Sequence, residues 1–269
     1  MNRKSYTLMR AAGRDRRHLL RGAVAAAGAA MLTGCDRLSN NASFVETLKS
    51  AQTLSHAAGK LVAPKSALAQ EFDPKDVAPV FRGNGTLDPR DPDYVALRKD
   101  GFAGYALGVG GLVEKPLSLS LEQLRAMPSR TQITRHDCVE GWSCIGKWKG
   151  TPLAAVLELA RPTAEARFVV FRCFDSMEGA SLDGRDTRYY ESIDLDEARH
   201  AQTILAYDLN DKPLPVINGA PIRCRVERQL GYKQAKYVKA IELVSSFGSI
   251  RGGKGGYWED EGYEWYGGI

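Results

Sequence analysis

The sequence has few cysteines and lacks the motifs that would group them around a cluster or a haem. It contains five cysteines, and neither Cys-x-x-Cys nor Cys-x-x-Cys-His occurs. It therefore gives no support for an iron–sulfur or c-type haem site. Four of the cysteines follow Cys35, namely Cys138, Cys144, Cys173 and Cys224. An even number allows disulfides in an oxidising compartment, and Cys138 with Cys144 is the first pair to consider.

The apolar run near the N-terminus is too short to cross a bilayer. It extends over the ten residues from Ala23 to Leu32, whereas a transmembrane helix needs about 20. Arg16-Arg17 and Leu19-Leu20 precede it, a pattern typical of a twin-arginine export signal. The run ends in Leu32-Thr33-Gly34-Cys35, which resembles a lipobox; the alternative is a cleavage region with an incidental cysteine. We expect residues 1–35 to form a signal peptide for the twin-arginine export machinery, with delivery to the periplasm and a lipid tether at Cys35.

Net positive charge is confined to this N-terminal segment. Residues 1–35 hold seven Lys and Arg residues and one acid, Asp15. Taking these from the totals of 37 and 32 leaves 30 basic and 31 acidic residues in the remainder. A nearly neutral remainder gives no argument for a nucleic-acid partner.

Composition divides the rest of the chain into three parts. Residues 36–75 have few large apolar side chains and predict a tether, and residues 251–269 form a glycine- and aromatic-rich C-terminal tail. Residues 76–250 contain short strands between short capped helices, without a regular βαβ rhythm. This pattern predicts a single α+β domain with mixed sheets and short helices, which begins with turn-rich loops over residues 76–105.

Local signals place the elements of this domain. Runs of β-forming residues predict five strands, over Tyr105–Val113, Thr131–Asp137, Phe168–Phe174, Ile204–Leu209 and Tyr237–Val244. Ser120 with Gln123 forms a capping box, and Thr151-Pro152 predicts a second helix with the threonine as its cap. Between residues 222 and 227 apolar and charged side chains alternate, which predicts a strand with one apolar and one charged face.

The most informative stretch places Cys138 at the end of an extended run, directly before a Gly141-Trp142 turn and a second tryptophan, Trp148. A thiol on a rigid turn beside aromatic side chains suits a soft metal or nucleophilic chemistry, because the thiolate is a soft donor. The alternative is a half-buried structural cysteine.

Two segments around this cysteine carry a family resemblance. Cys138-Val139-Glu140-Gly141-Trp142-Ser143 and Trp148-Lys149-Gly150-Thr151-Pro152-Leu153 resemble the molybdopterin-binding domain of the sulfite oxidase family, most closely its methionine-sulfoxide-reducing branch. The resemblance spans about residues 100–245. It implies a mixed α+β fold with a funnel to the metal, a molybdenum–molybdopterin cofactor, and Cys138 as the thiolate ligand.

The resemblance also implies how the cofactor is held. Asn218 and Arg223 lie in one matching segment, and Lys233 and Lys236 lie in a second, at places where the family holds the pterin and its phosphate. Arg offers a planar fork of donors, and Lys offers a point charge. The alternative for these bases is a solvated strand face.

Three further residues lie near the expected metal. Tyr189 matches an active-site tyrosine of the family, a hydrogen-bond donor near the metal; the alternative is a packed aromatic at a strand end. Arg135 is close in sequence to Cys138 and would meet the pterin or an anionic substrate. His136 is adjacent but has no assigned role, and a lone histidine is more often structural.

The residues after Cys138 bear on the substrate. Sulfite oxidases follow their ligand cysteine with paired arginines, whereas this chain has Glu140 and Trp142, and Asn218 stands where those enzymes usually have histidine. These differences favour a neutral sulfoxide or N-oxide as the small-molecule substrate of an oxygen-atom-transfer enzyme, with electrons from a membrane haem or quinone-linked partner. The alternatives are oxidation of a small sulfur oxyanion, and a cofactor-free binding module on the same fold.

Overall fold

The computed structural model describes residues 41, 43–44, 46–47, 66–177 and 187–269, which contain two five-stranded sheets. The strands of the first sheet, in pairing order, are β2 (Leu117–Ser120), β1 (Ala106–Gly111), β10 (Val238–Val244), β5 (Phe168–Ser176) and β6 (Arg188–Asp194). Neighbouring strands are antiparallel except β1 and β10, which run parallel with Val109 opposite Ile241. The first sheet is therefore mixed, as predicted.

The second sheet carries the hairpin that ends in Cys138. Its strands are β3 (Arg130–Cys138), β4 (Trp142–Pro152), β7 (Ile204–Leu209) and β8 (Lys212–Pro213), and β9 (Arg223–Arg225) also pairs with β7. All of these pairs are antiparallel. Asn210 and Asp211 join β7 to β8 with φ of 52° and 61°, as a two-residue hairpin turn of the mirror-image type requires.

The α-helices of the described domain are short. They are α1 (Pro92–Lys99), α2 (Leu121–Ala126), α3 (Leu153–Ala160), α4 (Leu195–Ala198) and α5 (Tyr257–Asp260). Ser120 caps α2 by accepting from the N–H of Gln123, whose side chain returns the bond, so the predicted capping box is present. Short helices beside two sheets, the first of them mixed, confirm the α+β prediction.

One buried cluster joins both sheets and α3. It includes Val109 on β1, Phe171 on β5, Leu157 on α3 and Leu205 on β7, each at most 3% exposed. Burying a side chain of this size contributes roughly 1.5–3 kcal/mol, so the cluster holds the two sheets in one compact unit, Lys65–Ile269.

Two predictions about the elements were wrong. Residues 76–105 are not all loops, because Asp91 caps α1 and Pro92 occupies its first turn. Thr151 does not cap α3, since it lies in β4 and its hydroxyl donates to the Leu124 carbonyl. The strand predicted within residues 222–227 is present as β9, and the alternative of a solvated charged face does not hold, since Arg223 and Arg225 are at most 1% exposed.

The expected signal peptide and Cys35 lie outside the described residues. Among the residues that are described, no helix has the length and apolar character needed to span a bilayer.

Candidate cofactor cavity

A cavity of about 210 Å³ collects residues from distant parts of the chain. Its lining is drawn from residues 84–86, 138–140, 175–177, 231–236 and 258–263, together with Tyr189. Of the predicted site residues, Cys138, Tyr189 and Lys236 lie in this lining, and Arg135, Asn218, Arg223 and Lys233 do not. The fold therefore brings the predicted ligand, the tyrosine and one of the predicted clamp cations to one place.

Cys138 reaches the cavity because it ends β3. It stands opposite Trp142, the first residue of β4, and Gly141 closes the loop between them with φ of 84°. A side chain is strained at this φ, so glycine allows the chain to reverse directly after the cysteine. The thiol is half-buried, and burial raises its pKa above the ordinary value.

The disulfide considered for Cys138 does not form. Cys144 lies opposite His136 in the β3–β4 ladder, and all four cysteines among the described residues are free. Cys138 therefore keeps a thiol that can act as a ligand. Cys173 is 2% exposed, in agreement with its place in a buried strand.

Tyr189 lies on β6 and contributes its buried ring to the lining. Its hydroxyl donates to the Tyr232 carbonyl, and burial raises the pKa of the phenol well above its ordinary value. The phenol therefore keeps its proton at neutral pH and already has an acceptor for it.

Lys236 is the cation that the fold delivers to the cavity. The residue is 8% exposed, and its ammonium donates to the carbonyls of Asn84 and Thr86, both at 2.5 Å. Burial, and next the nearby Arg223, lower the pKa of Lys236 to about 8. The side chain is charged at neutral pH and lies where an anionic group in the cavity would meet it.

Asp175 is a cavity residue that sequence reasoning missed. It is 3% exposed, and its Oδ1 has no hydrogen-bond partner among the described residues. Burial raises the pKa of its carboxyl to about 6, which the charge of Lys236 opposes. Residues 84–86 were also missed, although Gly83-Asn84-Gly85 carried a clear turn signal.

Arg223 is buried behind the cavity. Its guanidinium donates to the carbonyls of Asn218 at 3.1 Å and Gln234 at 3.4 Å, and it lies 5.1 Å from the ring centroid of Trp148. Its Nε has no partner among the described residues, and burial lowers the pKa of Arg223 to about 9. Asn218, 3% exposed, donates to the Phe81 carbonyl at 3.4 Å. Both residues support the segment that carries Lys236 but do not reach the cavity.

Lys233 points into a different environment from Lys236. Its ammonium is fully buried and lies 2.5 Å from both Glu191 Oε1 and Glu259 Oε1. Burial raises the pKa of Glu191 well above its ordinary value, so the two carboxyls and the ammonium form a tightly coupled group. Lys233 is fully buried among these carboxyls and is not part of the cavity lining.

Arg135 and His136 both lie outside the cavity lining, one exposed to solvent and the other buried. Arg135 is on the far face of β3, half-exposed, and pairs with Asp137 at 2.9 Å. His136 is fully buried, with its Nδ1 3.0 Å from Arg225 Nη1, and burial lowers its pKa well below the ordinary value. His136 is therefore a neutral structural residue. Arg135 does not join Cys138 in the cavity lining.

A thiol, a buried ammonium and a buried carboxyl around one cavity define a binding site for a cofactor that combines a soft metal with polar groups. The family model of the oxidoreductase molybdopterin-binding domain matches residues 95–247, which is more than half of the chain. The chain belongs to this family of molybdopterin-dependent oxidoreductases. The family resemblance and the molybdenum–molybdopterin cofactor predicted from the sequence are thereby confirmed.

Curated proteins of the sulfoxide-reductase type are similar to a large part of the chain. A provisionally named protein-methionine-sulfoxide reductase subunit, YedZ1, of Azospira oryzae is 37% identical over 201 residues, 73% of this chain and 70% of that protein. The protein-methionine-sulfoxide reductase catalytic subunit MsrP of Xanthomonas axonopodis is 38% identical over 161 residues, 58% of this chain. The chain spans about half the length of this second relative. Among solved structures, the sulfane dehydrogenase SoxCD from Paracoccus pantotrophus matches 53% of this chain and 39% of its own, with 21% identity and a TM-score of 0.45.

The residues of the cavity fit a molybdenum–molybdopterin cofactor. In the described lining, Oδ1 of Asp175 is the one fully buried polar side-chain atom without a partner, and it is an acceptor that the amino edge of a pterin can use. Lys236 would supply positive charge for the terminal phosphate, and Cys138 would supply a soft sulfur ligand. A metal, an anion and a hydrogen-bonding ring thus each find a matching group in one cavity.

Proposed function

We propose that this protein reduces neutral sulfoxides or N-oxides by oxygen-atom transfer, as an exported molybdenum enzyme. The observation that carries this proposal is the charge of the cavity. Glu140 and Asp175 line it together with one cation, Lys236, and no arginine occurs in its described lining. A dianion such as sulfite would have to approach past the exposed Glu140 and towards the buried Asp175, and like charges repel.

The residues of the chain have distinct tasks in this reaction. When bound, the cofactor supplies a metal that takes up an oxygen atom and gives up two electrons. Cys138 would ligate the metal through Sγ, Lys236 would hold the phosphate, and Asp175 would accept a hydrogen bond from the pterin. The Tyr189 phenol keeps its proton at Oη, where it can donate to a polar group of the substrate after leaving the Tyr232 carbonyl.

Arg135 was the strongest sequence argument against a neutral substrate. Its guanidinium pairs with Asp137 on the far face of β3 and takes no part in the cavity lining. The remaining charges support a substrate without net charge, because only the cofactor phosphate needs the cation of Lys236.

Reduction of a sulfoxide to a thioether consumes two electrons and two protons and releases water. The electrons require a partner, and the names of two relatives as subunits support one. We assign this role to a membrane haem or quinone-linked protein. A twin-arginine signal at Arg16-Arg17 and a lipid at Cys35 would place the enzyme in the periplasm beside such a partner.

A chemically reduced dye tests the reaction without the natural partner. We expect the purified, molybdenum-loaded protein to oxidise the dye with a panel of sulfoxides faster than it oxidises sulfite with a dye acceptor. Sulfite oxidation without sulfoxide turnover would overturn the substrate assignment. Absence of molybdenum from protein made in a cofactor-producing host would instead favour a binding module without a cofactor.

A further inference from the structure

The C-terminal tail has no role in the chemistry described so far, yet it forms part of the cavity. Trp258 on α5 and Tyr263 after it line the same space as Cys138. Both lie in the glycine- and aromatic-rich segment that the sequence left without a function.

The lining residues separate into two contact groups. The polar wall consists of residues 84–86, Asp175, Met177 and Lys236, in which Lys236 donates to Asn84 and Thr86, and the Thr86 hydroxyl lies 3.8 Å from Met177 Sδ. The aromatic wall consists of Tyr189, Tyr232, Trp258 and Tyr263. The polar wall carries the groups that suit the phosphate and the pterin, so the aromatic wall remains for the substrate.

The rings of the aromatic wall support one another. Trp258 and Tyr263 stack with centroids 5.3 Å apart and planes 29° apart, and Tyr232 meets Tyr263 edge-on at 5.4 Å. The Tyr263 N–H donates to the Trp258 carbonyl at 2.8 Å, which fixes the turn between the stacked rings. A wall held by such contacts is formed before a ligand arrives.

The wall is also tied to the interior next to Trp258. Glu259 is 1% exposed and pairs with the buried Lys233, and the Tyr232 hydroxyl donates to the Glu264 carbonyl at 2.7 Å. The first contact directly follows Trp258 in the chain and the second directly follows Tyr263, so each ring of the stacked pair has a neighbour that is fixed to the interior.

We propose that Trp258 and Tyr263 form the recognition surface for the alkyl groups of a methyl sulfoxide. This inference rests on the proposed function. The four side chains of the aromatic wall present ring faces, which attract the methyl groups and the electron-poor sulfur of a sulfoxide. The occupant is a neutral methyl alkyl sulfoxide, with methionine sulfoxide as the representative of the class.

The test compares Trp258→Ala and Tyr263→Ala with Tyr266→Ala, whose ring is in the same segment but outside the cavity lining. Each loaded variant is assayed with methionine sulfoxide and a reduced dye, and methionine sulfone serves as an unreactive competitor. Trp258→Ala and Tyr263→Ala should raise KM and the inhibition constant of the sulfone about tenfold, with kcat within about twofold. Tyr266→Ala should match the wild type, and all four proteins should hold the same amount of molybdenum.

Unchanged KM and inhibition constants in both cavity variants at full molybdenum content would overturn the inference while leaving sulfoxide reduction intact. A loss of molybdenum from these variants would also overturn it, because the rings would then hold the cofactor. Wild-type protein that turns over no sulfoxide would refute the proposed function itself, and the inference with it.

Discussion

Lys233 Nζ lies 2.5 Å from Glu259 Oε1, in an interior that excludes solvent from both side chains. The contact joins the C-terminal helix α5 to the 3-10 turn Gly231–Lys233, and both segments contribute to the cavity. Glu191 on β6 completes the group at the same distance. Lys233 therefore stabilises the walls of the cavity without facing it, whereas Lys236, three residues later, faces it.

This division of roles predicts opposite phenotypes for two lysine variants. Lys233→Met leaves two buried carboxyls without their cation and should lower the free energy of unfolding by about 3–5 kcal/mol. Lys236→Met removes a phosphate contact worth ~1.5–3 kcal/mol, so molybdenum content should fall severalfold or more while the protein stays folded. Denaturant unfolding of the cofactor-free proteins and metal analysis of the loaded proteins measure the two effects. Equal loss of molybdenum at equal stability in both variants would contradict the division.

Cys138 and Cys144 provide a matched pair for the ligand assignment. Cys138→Ser should fold and retain part of its pterin through the polar wall, but lose turnover, because an oxygen ligand is a poor substitute for the soft thiolate. Cys144→Ser makes the same replacement of sulfur by oxygen on the partner strand β4, where Cys144 lies opposite His136. This variant should keep molybdenum and activity. Circular dichroism, metal content and dye-linked turnover are the measurements. Full activity of Cys138→Ser is the result that would remove Cys138 from the site.

The sequence predicted the position of Cys138 better than the set of cations around it. A strand followed by a glycine turn is a local pattern, and local patterns predicted β3 and its turn correctly. Lys233 and Lys236 look equivalent in sequence, and only packing decides that one meets Glu191 and Glu259 and the other meets Asn84 and Thr86. For the same reason the alternation at residues 222–227 predicted a strand with a charged face but could not decide whether that face is solvated or, as the structure has it, buried.

Asp175 shows what local patterns cannot supply. Asp175 is the last residue but one of the buried strand β5. Its role depends on burial beside Lys236, which is distant from it in sequence. Helix α1 was missed for a different reason, since Asp91-Pro92 is a signal for a turn and for a helix start alike.

The raised pKa of Asp175 predicts a pH-dependent stability of the cofactor-free protein. The folded-state pKa is about 6 against an ordinary 3.8, so the carboxyl's contribution to stability is fully present below pH 3.8 and is lost as the pH rises through 6. The loss amounts to roughly 3 kcal/mol at neutral pH. Asp175→Asn cannot ionise, so its stability relative to the wild type should rise by about this amount between pH 4 and pH 7. Urea unfolding at several pH values measures the difference in the free energy of unfolding between the two proteins. A difference that does not vary with pH would show that folding does not change the pKa of Asp175.

Export can be tested independently of the chemistry. Arg16-Arg17→Lys-Lys should leave the precursor in the cytoplasm, because the twin-arginine pathway reads the guanidinium pair. Cys35→Ala should remove the protein from the membrane fraction, since it removes the acceptor for the lipid. Cell fractionation with immunodetection follows both. Normal periplasmic delivery of the Lys-Lys form would refute the twin-arginine assignment. Membrane association of the Cys35→Ala protein would refute the predicted lipid attachment at Cys35.

Glu140 allows the substrate charge to be tested at a single position. Its carboxylate lines the cavity and accepts from Trp142 Nε1 at 2.9 Å, a bond that the glutamine of Glu140→Gln can keep. Removing this negative charge should tighten inhibition by sulfite severalfold at low ionic strength, and much less at high salt, because the side chain is exposed and therefore screened. The KM for a neutral sulfoxide should stay within about twofold. Glu122→Gln, on α2 and outside the cavity lining, is the control and should change neither value. If sulfite binds wild type and Glu140→Gln equally at low salt, then Glu140 does not select against anions, and the charge argument for a neutral substrate fails.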